Sequence, residues 1–219
     1  MNQTPLIFLG SFAAMAASFW GLVVAPQNTI GRQQATLIQD TGAYYPASRT
    51  GSAEAGAQVY RAQGCAECHT QQVRPKGQGG DIDRGWGRRR TVAEDYLADQ
   101  PVQIGALRLG PDLSNIGRRQ PDATYHLQNL YNSRLLKPGS LMPRYTYLFD
   151  VRPLGEGVKP SEAALPAATE PGFEVIPKPE AIALVAYLQS LAADVPLFSA
   201  PFPIAKTNAA AVVAPAPKQ

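Results

Sequence analysis

Both cysteines of the chain and one of its two histidines lie within the segment "GCAECHTQQVRP", which begins at Gly64. Cys65, Cys68 and His69 form a CxxCH pattern. Two thiols at this spacing can form a redox disulfide, supply half of a zinc site or attach a haem covalently. In the third case the thiols add to the porphyrin vinyl groups and the adjacent imidazole ligates the iron. The fold must therefore present three reactive side chains within five residues.

The surrounding sequence separates these three interpretations. A zinc site would need the distant His126 as its fourth ligand, and the adjacent Cys68 and His69 differ from the paired spacing of zinc fingers. A thioredoxin-like disulfide requires a βαβ context, which the sequence does not offer. We therefore predict one covalent haem c, attached through Cys65 and Cys68 and ligated by His69. The redox disulfide and the zinc site are kept as alternatives.

The sixth iron ligand must come from outside the motif. A thioether or an imidazole there gives a closed electron-transfer site, whereas an empty position admits small ligands. The candidates are Met15, His126 and Met142. Ordinary packing explains Met15, which lies in an apolar run, and His126, which lies on a predicted helix. Met142 lies in the loop "KPGSLMPRY", whose two prolines restrict its conformation, so we predict Met142 as the ligand and His126 as the alternative.

The segment "RLGPDLSNIG" starts at Arg108 and offers two further residues to a haem. A ligating imidazole normally donates its second N–H to a fixed acceptor, and we predict that the Pro111 carbonyl is this acceptor. An ordinary turn is the alternative. Haem propionates bind arginine well, and Arg108 is a candidate partner. The other candidates form a basic cluster, for which a solvent-exposed surface is the alternative interpretation. They are Arg74, Lys76, Arg84, Arg88, Arg89 and Arg90.

Residues 5–26 contain no charged side chain. As a helix, these 22 residues would span roughly 33 Å, against about 30 Å for the hydrocarbon core of a bilayer. A signal peptide is the alternative, but the start lacks Lys or Arg and the apolar run is long for one. We therefore predict a single-pass membrane anchor. Because bacteria attach haem c on the outer side of the cytoplasmic membrane, we expect the haem domain in the periplasm.

The remaining sequence predicts an all-α protein with long loops. We expect an anchor at 1–30, a linker at 31–50, a haem domain at 51–195 and an Ala/Pro-rich tail at 196–219. Helices are predicted from the N-cap Ser52 to a stop at Gly64, within 121–134, and from Pro179 onward. The first and last of these should pack together, with Gly56 permitting close approach and Tyr187 in contact. On the last helix, the predicted apolar side comprises Ile182, Val185, Ala186 and Leu191.

Several ordered segments are similar to those of a known family, the membrane-anchored mono-haem cytochrome c subunits of cbb3-type cytochrome c oxidases. These segments, which follow the apolar N-terminal run, are "GCAECHTQQVRP", "TVAEDYLADQP", "GALRLGPDL", "GRRQPDATYHLQNLYNSR", "LMPRYTYL" and "IALVAYLQSL". The resemblance implies a class I-like cytochrome c domain in which His69 and Met142 are the axial ligands. It also implies a catalytic haem-copper subunit as partner, with electrons supplied by a di-haem cytochrome c subunit or a soluble cytochrome c.

These features together predict an electron carrier with no catalytic site of its own. The sequence shows no recognisable carboxylate pair, nucleophile triad or phosphate-binding loop. The formal charge of +3 is too small to indicate nucleic-acid binding. The apolar N-terminal run implies membrane lipid as a partner, and the resemblance implies oxidase subunits. The alternatives are a cytochrome c subunit of a nitric oxide reductase or another respiratory complex, and a haem-based sensor, which would need an open sixth position.

Overall fold

A computed structural model describes residues 3–155, 157–166 and 172–197 of the chain. The chain divides into two compact units. One comprises Met1–Ala47 together with Val92–Asp99, and the other comprises Ser48–Thr91 together with Gln100–Gln219. Most of the predicted Ala/Pro-rich tail lies outside the described residues, which end at residue 197.

The first unit begins with helix α1, which spans Thr4–Thr29. Pro5 lies in its first turn, where the missing N–H removes no intrahelical hydrogen bond. One π-helical turn, Trp20–Val24, lies within the helix. The most apolar 18-residue window has a mean hydropathy of 1.9, and none of it is buried. By length and composition the helix can cross a membrane, in agreement with the prediction from residues 5–26.

A short hairpin follows α1. Strands β1 (Thr36–Ile38) and β2 (Ala43–Tyr45) pair antiparallel, with Thr36 opposite Tyr45. Gly42 has a φ of 65° and permits the left-handed turn between the strands. This region was predicted as a linker without strands, because three-residue strands are too short to show an alternating pattern.

The segment Val92–Asp99 packs with this unit, although it lies within the stretch 51–195 that was predicted as the haem domain. Its central 3₁₀ turn contains Asp95, whose side chain is buried. Asp95 accepts hydrogen bonds from the Tyr45 hydroxyl at 2.8 Å and from the backbone N–H of Val92 at 2.8 Å. Gln33 donates a further bond to the neighbouring Glu94 at 3.0 Å. These bonds join two stretches of chain that are more than 40 residues apart.

The regular secondary structure of the second unit is mainly helical, and long loops connect its elements. Gly51, with a φ of 58°, precedes its first helix, so Ser52 is the first helical residue and its prediction as N-cap was wrong. Asp122 caps a later helix by accepting hydrogen bonds from the N–H groups of Thr124 at 2.9 Å and Tyr125 at 3.3 Å. The helices are α2 (Ser52–Ala62), α3 (Ile116–Arg119), α4 (Ala123–Leu136), which kinks at Asn132, and α5 (Pro179–Ser190).

Helices α2 and α5 pack directly against each other, as predicted. At Gly56, a Cβ atom would lie 1.9 Å from the carbonyl oxygen of Ala183, so only glycine fits this contact. The rings of Tyr60 and Tyr187 are both almost fully buried, and their centroids lie 5.2 Å apart. The contact between α2 and α5 therefore lies within the hydrophobic core of this unit.

The buried side of α5 differs from the prediction in one respect. Ile182, which was assigned to the apolar side, is 52% exposed. Val185 and Leu191 are buried, as expected, and Ala186 is half-buried. The rest of the buried side comprises Ala181, Leu184, Tyr187 and Leu188. An apolar helix offers several possible faces, and contact with α2 selects the one that carries Tyr187.

A second small sheet contributes buried side chains to the core. Strands β3 (Phe149–Pro153) and β4 (Phe173–Pro177) pair antiparallel. Val175 is fully buried, and its carbonyl accepts a hydrogen bond from the N–H of Leu165 at 2.8 Å. No strand was predicted between residues 149 and 178. The all-α assignment is therefore approximate, because the described residues form a helical protein with two small antiparallel sheets.

Candidate functional site

The CxxCH segment folds as a tight turn directly after α2. Gly64 has a φ of 66°, and the following 3₁₀ turn covers Cys65–Glu67. The N–H of His69 donates to the carbonyl of Cys65 at 3.0 Å, which closes the turn. Both cysteines are free thiols rather than a disulfide. Cys65 packs against the core, and burial raises its pKa to about 12, so it is a neutral thiol at pH 7.

The imidazole of His69 is held in one tautomer. Its Nδ1 lies 2.8 Å from the carbonyl oxygen of Pro111, the hydrogen bond that the sequence predicted. A carbonyl can only accept, so Nδ1 carries the proton and Nε2 keeps its lone pair. Burial lowers the pKa of His69, while the Pro111 hydrogen bond acts in the opposite direction. At pH 7 the ring is therefore neutral, which is the form that ligates a metal.

Gly110 makes this arrangement possible. A Cβ atom at position 110 would lie 2.2 Å from Cε1 of His69, so any side chain there would displace the ring. The backbone N–H of Gly110 donates to the carbonyl of Cys68 at 3.0 Å, which holds the glycine against the motif. No local pattern in the sequence indicates that Gly110 faces the His69 ring.

Met142 is held by α4. The side-chain amide of Asn129 donates to its sulfur at 3.4 Å, and the hydroxyl of Ser133 donates to its carbonyl at 3.3 Å. The methionine is half-buried and packs against the same hydrophobic core as Cys65. Asn129 was not predicted from the sequence, since no local pattern distinguishes it from the other polar residues of α4.

The loop after Met142 lies beside the CxxCH turn. The hydroxyl of Tyr147 donates to the side chain of Gln63, two residues before Cys65. Burial raises the pKa of Tyr145 to about 12, and electrostatic interaction with Cys65 acts in the same direction. Two segments of chain more than 70 residues apart therefore meet around the thiols.

Arg108 belongs to a buried ion-pair cluster. Its guanidinium contacts the carboxylate of Asp81 and the carbonyl of Gln72. Asp81 is almost fully buried and also accepts from the Nη2 of Arg74 at 3.0 Å. Burial raises the pKa of Asp81, but the hydrogen bonds from the two arginines outweigh this effect and lower it to about 2. The carboxylate of Asp81 is therefore charged at neutral pH.

The basic cluster around these residues is not a uniform solvated face. Arg89 is only 3% exposed, and its Nε donates to the carbonyl of Val195 at 2.6 Å. Arg88 forms an ion pair with Asp194, with 3.5 Å between Nε and the carboxylate. These two arginines connect the loop that contains them with the residues that follow α5.

The alternative ligands take ordinary structural roles. His126 is buried, its Nε2 lies 2.7 Å from the carbonyl of Gln120, and burial lowers its pKa. Met15 lies on α1 and is 65% exposed. In the part of the chain that the structure describes, which includes both histidines and both cysteines, no group of three or more His, Cys, Asp and Glu side chains could hold a metal ion.

The residues fit a haem of the c type. Two free thiols lie beside a neutral imidazole with a fixed tautomer, and a methionine sulfur lies in the loop that contacts this turn. Thiols that add to vinyl groups and a His/Met ligand pair are the donor set of an electron-transferring cytochrome.

The comparison with known families agrees with this class of protein. The sequence model of the family described as cytochrome c oxidase, mono-haem subunit/FixO, matches residues 2–161. The chain belongs to this family, which confirms the resemblance found in the sequence. The search of curated proteins found no match. The match includes α1, the CxxCH turn, Pro111 and Met142, whereas α5 lies beyond it.

Proposed function

We propose that this chain is the electron-transfer subunit of a cbb3-type cytochrome c oxidase. Cys65 and Cys68 attach one haem c, His69 and Met142 ligate its iron, and a class I-like cytochrome c domain surrounds it. The observation that supports this most directly is the hydrogen bond from His69 to Pro111 beside two free thiols, in a member of a mono-haem oxidase family. When bound, haem supplies a one-electron Fe(III)/Fe(II) couple.

The chain's own residues prepare both ligands. The Pro111 carbonyl keeps the proton of His69 on Nδ1, which leaves Nε2 to face a metal. Asn129 restrains the sulfur of Met142. Ligands that are already held need little rearrangement when the charge of the site changes by one electron. We propose no bond-making chemistry and no catalytic residue for this chain.

Arg108 is proposed as a partner of a haem propionate. A guanidinium has five N–H donors, and contacts to Asp81 and to the Gln72 carbonyl leave others for a carboxylate. Arg108 also precedes Gly110, which contacts the His69 ring, by only two residues. This role depends on the haem assignment above.

Membership of the matched family favours an oxidase subunit over the two alternative functions, a nitric oxide reductase subunit and a haem-based sensor. The matched family consists of oxidase subunits, which argues against a nitric oxide reductase. A haem-based sensor needs an open or readily displaced sixth ligand. The two hydrogen bonds from α4 to Met142 favour a closed site instead.

We further propose that α1 anchors the chain in the bacterial cytoplasmic membrane, with the haem domain in the periplasm. The partners would be the catalytic haem-copper subunit and a donor, either a di-haem cytochrome c subunit or a soluble cytochrome c. Protease added to intact spheroplasts should digest the haem domain. Complete protection until the cells are lysed would contradict this orientation.

A set of cysteine variants tests the haem assignment. The full chain, expressed with the bacterial haem c maturation machinery, should carry haem through denaturing electrophoresis. Cys65→Ala and Cys68→Ala should each retain one thioether, and the pyridine haemochrome band should shift to longer wavelength because one vinyl group remains. The double variant should lose covalent haem completely. A haem-stained band from the double variant would overturn the proposal.

A further inference from the structure

The carboxylate of Asp112 connects the segment after His69 to the segment that carries Pro111. Its Oδ2 accepts from the hydroxyl of Thr70 at 2.6 Å and from the backbone N–H of Gln72 at 2.7 Å. Its Oδ1 accepts from the backbone N–H of Ser114 at 2.9 Å. The side chain is fully buried. A buried carboxylate is retained at low cost only when its oxygens are satisfied in this way.

These bonds fix the two segments on either side of the His69–Pro111 contact. The N–H of Leu113 donates to the carbonyl of Thr70 at 2.8 Å, immediately beyond that contact. Asp112 directly follows Pro111, and Thr70 directly follows His69. The carboxylate therefore fastens the neighbours of both hydrogen-bonding residues and limits how far the Pro111 carbonyl can move from Nδ1.

Asp112 also places a negative charge close to the imidazole. The nearest basic group in an ion pair with it is Arg108, whose Nη2 lies 3.9 Å away, longer than a hydrogen bond. Asp112 directly follows Pro111, whose carbonyl oxygen lies 2.8 Å from Nδ1 of His69. A negative charge near the ring favours the more positive oxidation state of a metal that the ring would ligate.

We propose that Asp112 is a positioning residue for His69: it holds the Pro111 carbonyl on Nδ1, and its charge lowers the reduction potential of the site. This inference rests on the proposed haem function. It adds to that function a residue whose side chain forms hydrogen bonds with Thr70, Gln72 and Ser114 and acts on the His69–Pro111 contact through them.

Three variants of the full haem-loaded chain separate position from charge. Asp112→Asn removes the charge and keeps the shape. Thr70→Val removes one hydrogen bond to the carboxylate and leaves the charge, while Thr70→Ser restores the hydroxyl. Asp40→Asn is the matched control, because it removes an exposed aspartate from the other unit.

Two measurements apply to each variant: the reduction potential by spectroelectrochemical titration, and the solvent exchange of the His69 Nδ1 proton by NMR in the reduced, diamagnetic state. Asp112→Asn should raise the potential and speed exchange at least tenfold. Thr70→Val should speed exchange with little change in potential, and Thr70→Ser and Asp40→Asn should match the wild type.

The inference is overturned if Asp112→Asn resembles Asp40→Asn in both measurements. If Asp112→Asn does not fold, Thr70→Val decides: wild-type proton exchange in that variant also overturns the inference. Failure of the proposed function looks different, because the wild-type chain itself would then carry no covalent haem.

Discussion

The side-chain amide of Asn129 lies 3.4 Å from the sulfur of Met142, in a hydrogen bond that crosses from α4 to the loop beyond it. One helical turn later, Ser133 donates to the carbonyl of the same methionine at 3.3 Å. A thioether accepts hydrogen bonds weakly, so the contact restrains the sulfur without occupying it fully. Helix α4 therefore holds Met142 at both its side chain and its backbone.

Replacing Asn129 with alanine should lower the reduction potential of the haem-loaded chain. A donor on the sulfur withdraws electron density and favours the reduced iron, so its removal favours the oxidised form. Covalent haem should be retained, and the free energy of unfolding should fall by about 1 kcal/mol. Potentiometric titration and urea unfolding measure the two effects.

Gln128 provides the control for this prediction. It is the adjacent residue of α4, and its amide donates to the carbonyl of Pro166 at 2.6 Å instead of to the sulfur. Gln128→Ala should leave the potential unchanged. Equal potentials for Asn129→Ala and Gln128→Ala would show that the amide–sulfur contact does not influence the iron.

Replacing Met142 tests the sixth ligand directly. Met142→Ala should abolish the weak near-infrared sulfur-to-iron charge-transfer band, lower the potential and allow the reduced protein to bind carbon monoxide. Met142→His should restore six-coordination but keep the potential low. If Met142→Ala retains both the band and the wild-type potential, the ligand lies elsewhere and His126 is the next candidate.

Replacing Gly56 with alanine should destabilise the second unit. The added Cβ would lie 1.9 Å from the carbonyl oxygen of Ala183, so α2 and α5 would have to separate. Overpacking of this kind costs about 2–3 kcal/mol, measured as the urea midpoint of the full chain in detergent. Gly10→Ala is the control, since Gly10 is also helical and has no neighbouring atom within 4 Å of an added Cβ. Equal midpoints for both variants would contradict the close contact.

Asp81 should contribute stability that is lost in acid. Its pKa in the folded protein is about 2, below the ordinary value of 3.8. Because the folded value is depressed, the contribution is fully present above about pH 4 and disappears as the pH falls through about 2. The shift corresponds to about 2 kcal/mol. Urea unfolding between pH 6 and pH 2 measures it.

The comparison variant for this pH dependence is Asp81→Asn. Its deficit in stability relative to the wild type should be largest above pH 4 and should shrink towards pH 2. Asp83→Asn, an exposed aspartate of the same loop, should follow the wild type at every pH. A constant deficit for Asp81→Asn across this range would show that the ion pairs with Arg74 and Arg108 do not depress the pKa of Asp81.

Local patterns in the sequence were sufficient for several features of this protein. The CxxCH motif predicts its chemistry because the reactive groups are neighbours in the chain. Helix α1 follows from an uninterrupted apolar run, and the starts of α4 and α5 follow from Asp122 and Pro179. The resemblance to a known family predicted the class of protein, and the match to the family model confirms that prediction.

Tertiary structure decided the features that depend on distant partners. The ring that Gly110 faces, the sulfur that Asn129 contacts and the carboxylate that Arg108 binds are set by contacts between segments separated by 13 to 41 residues. Strands β3 and β4 likewise exist only as a pair. Sequence periodicity reports which side of one element is apolar, but it carries no information on which other segment covers that side. That choice is made when the whole core packs, because only then does each buried polar group acquire its partner.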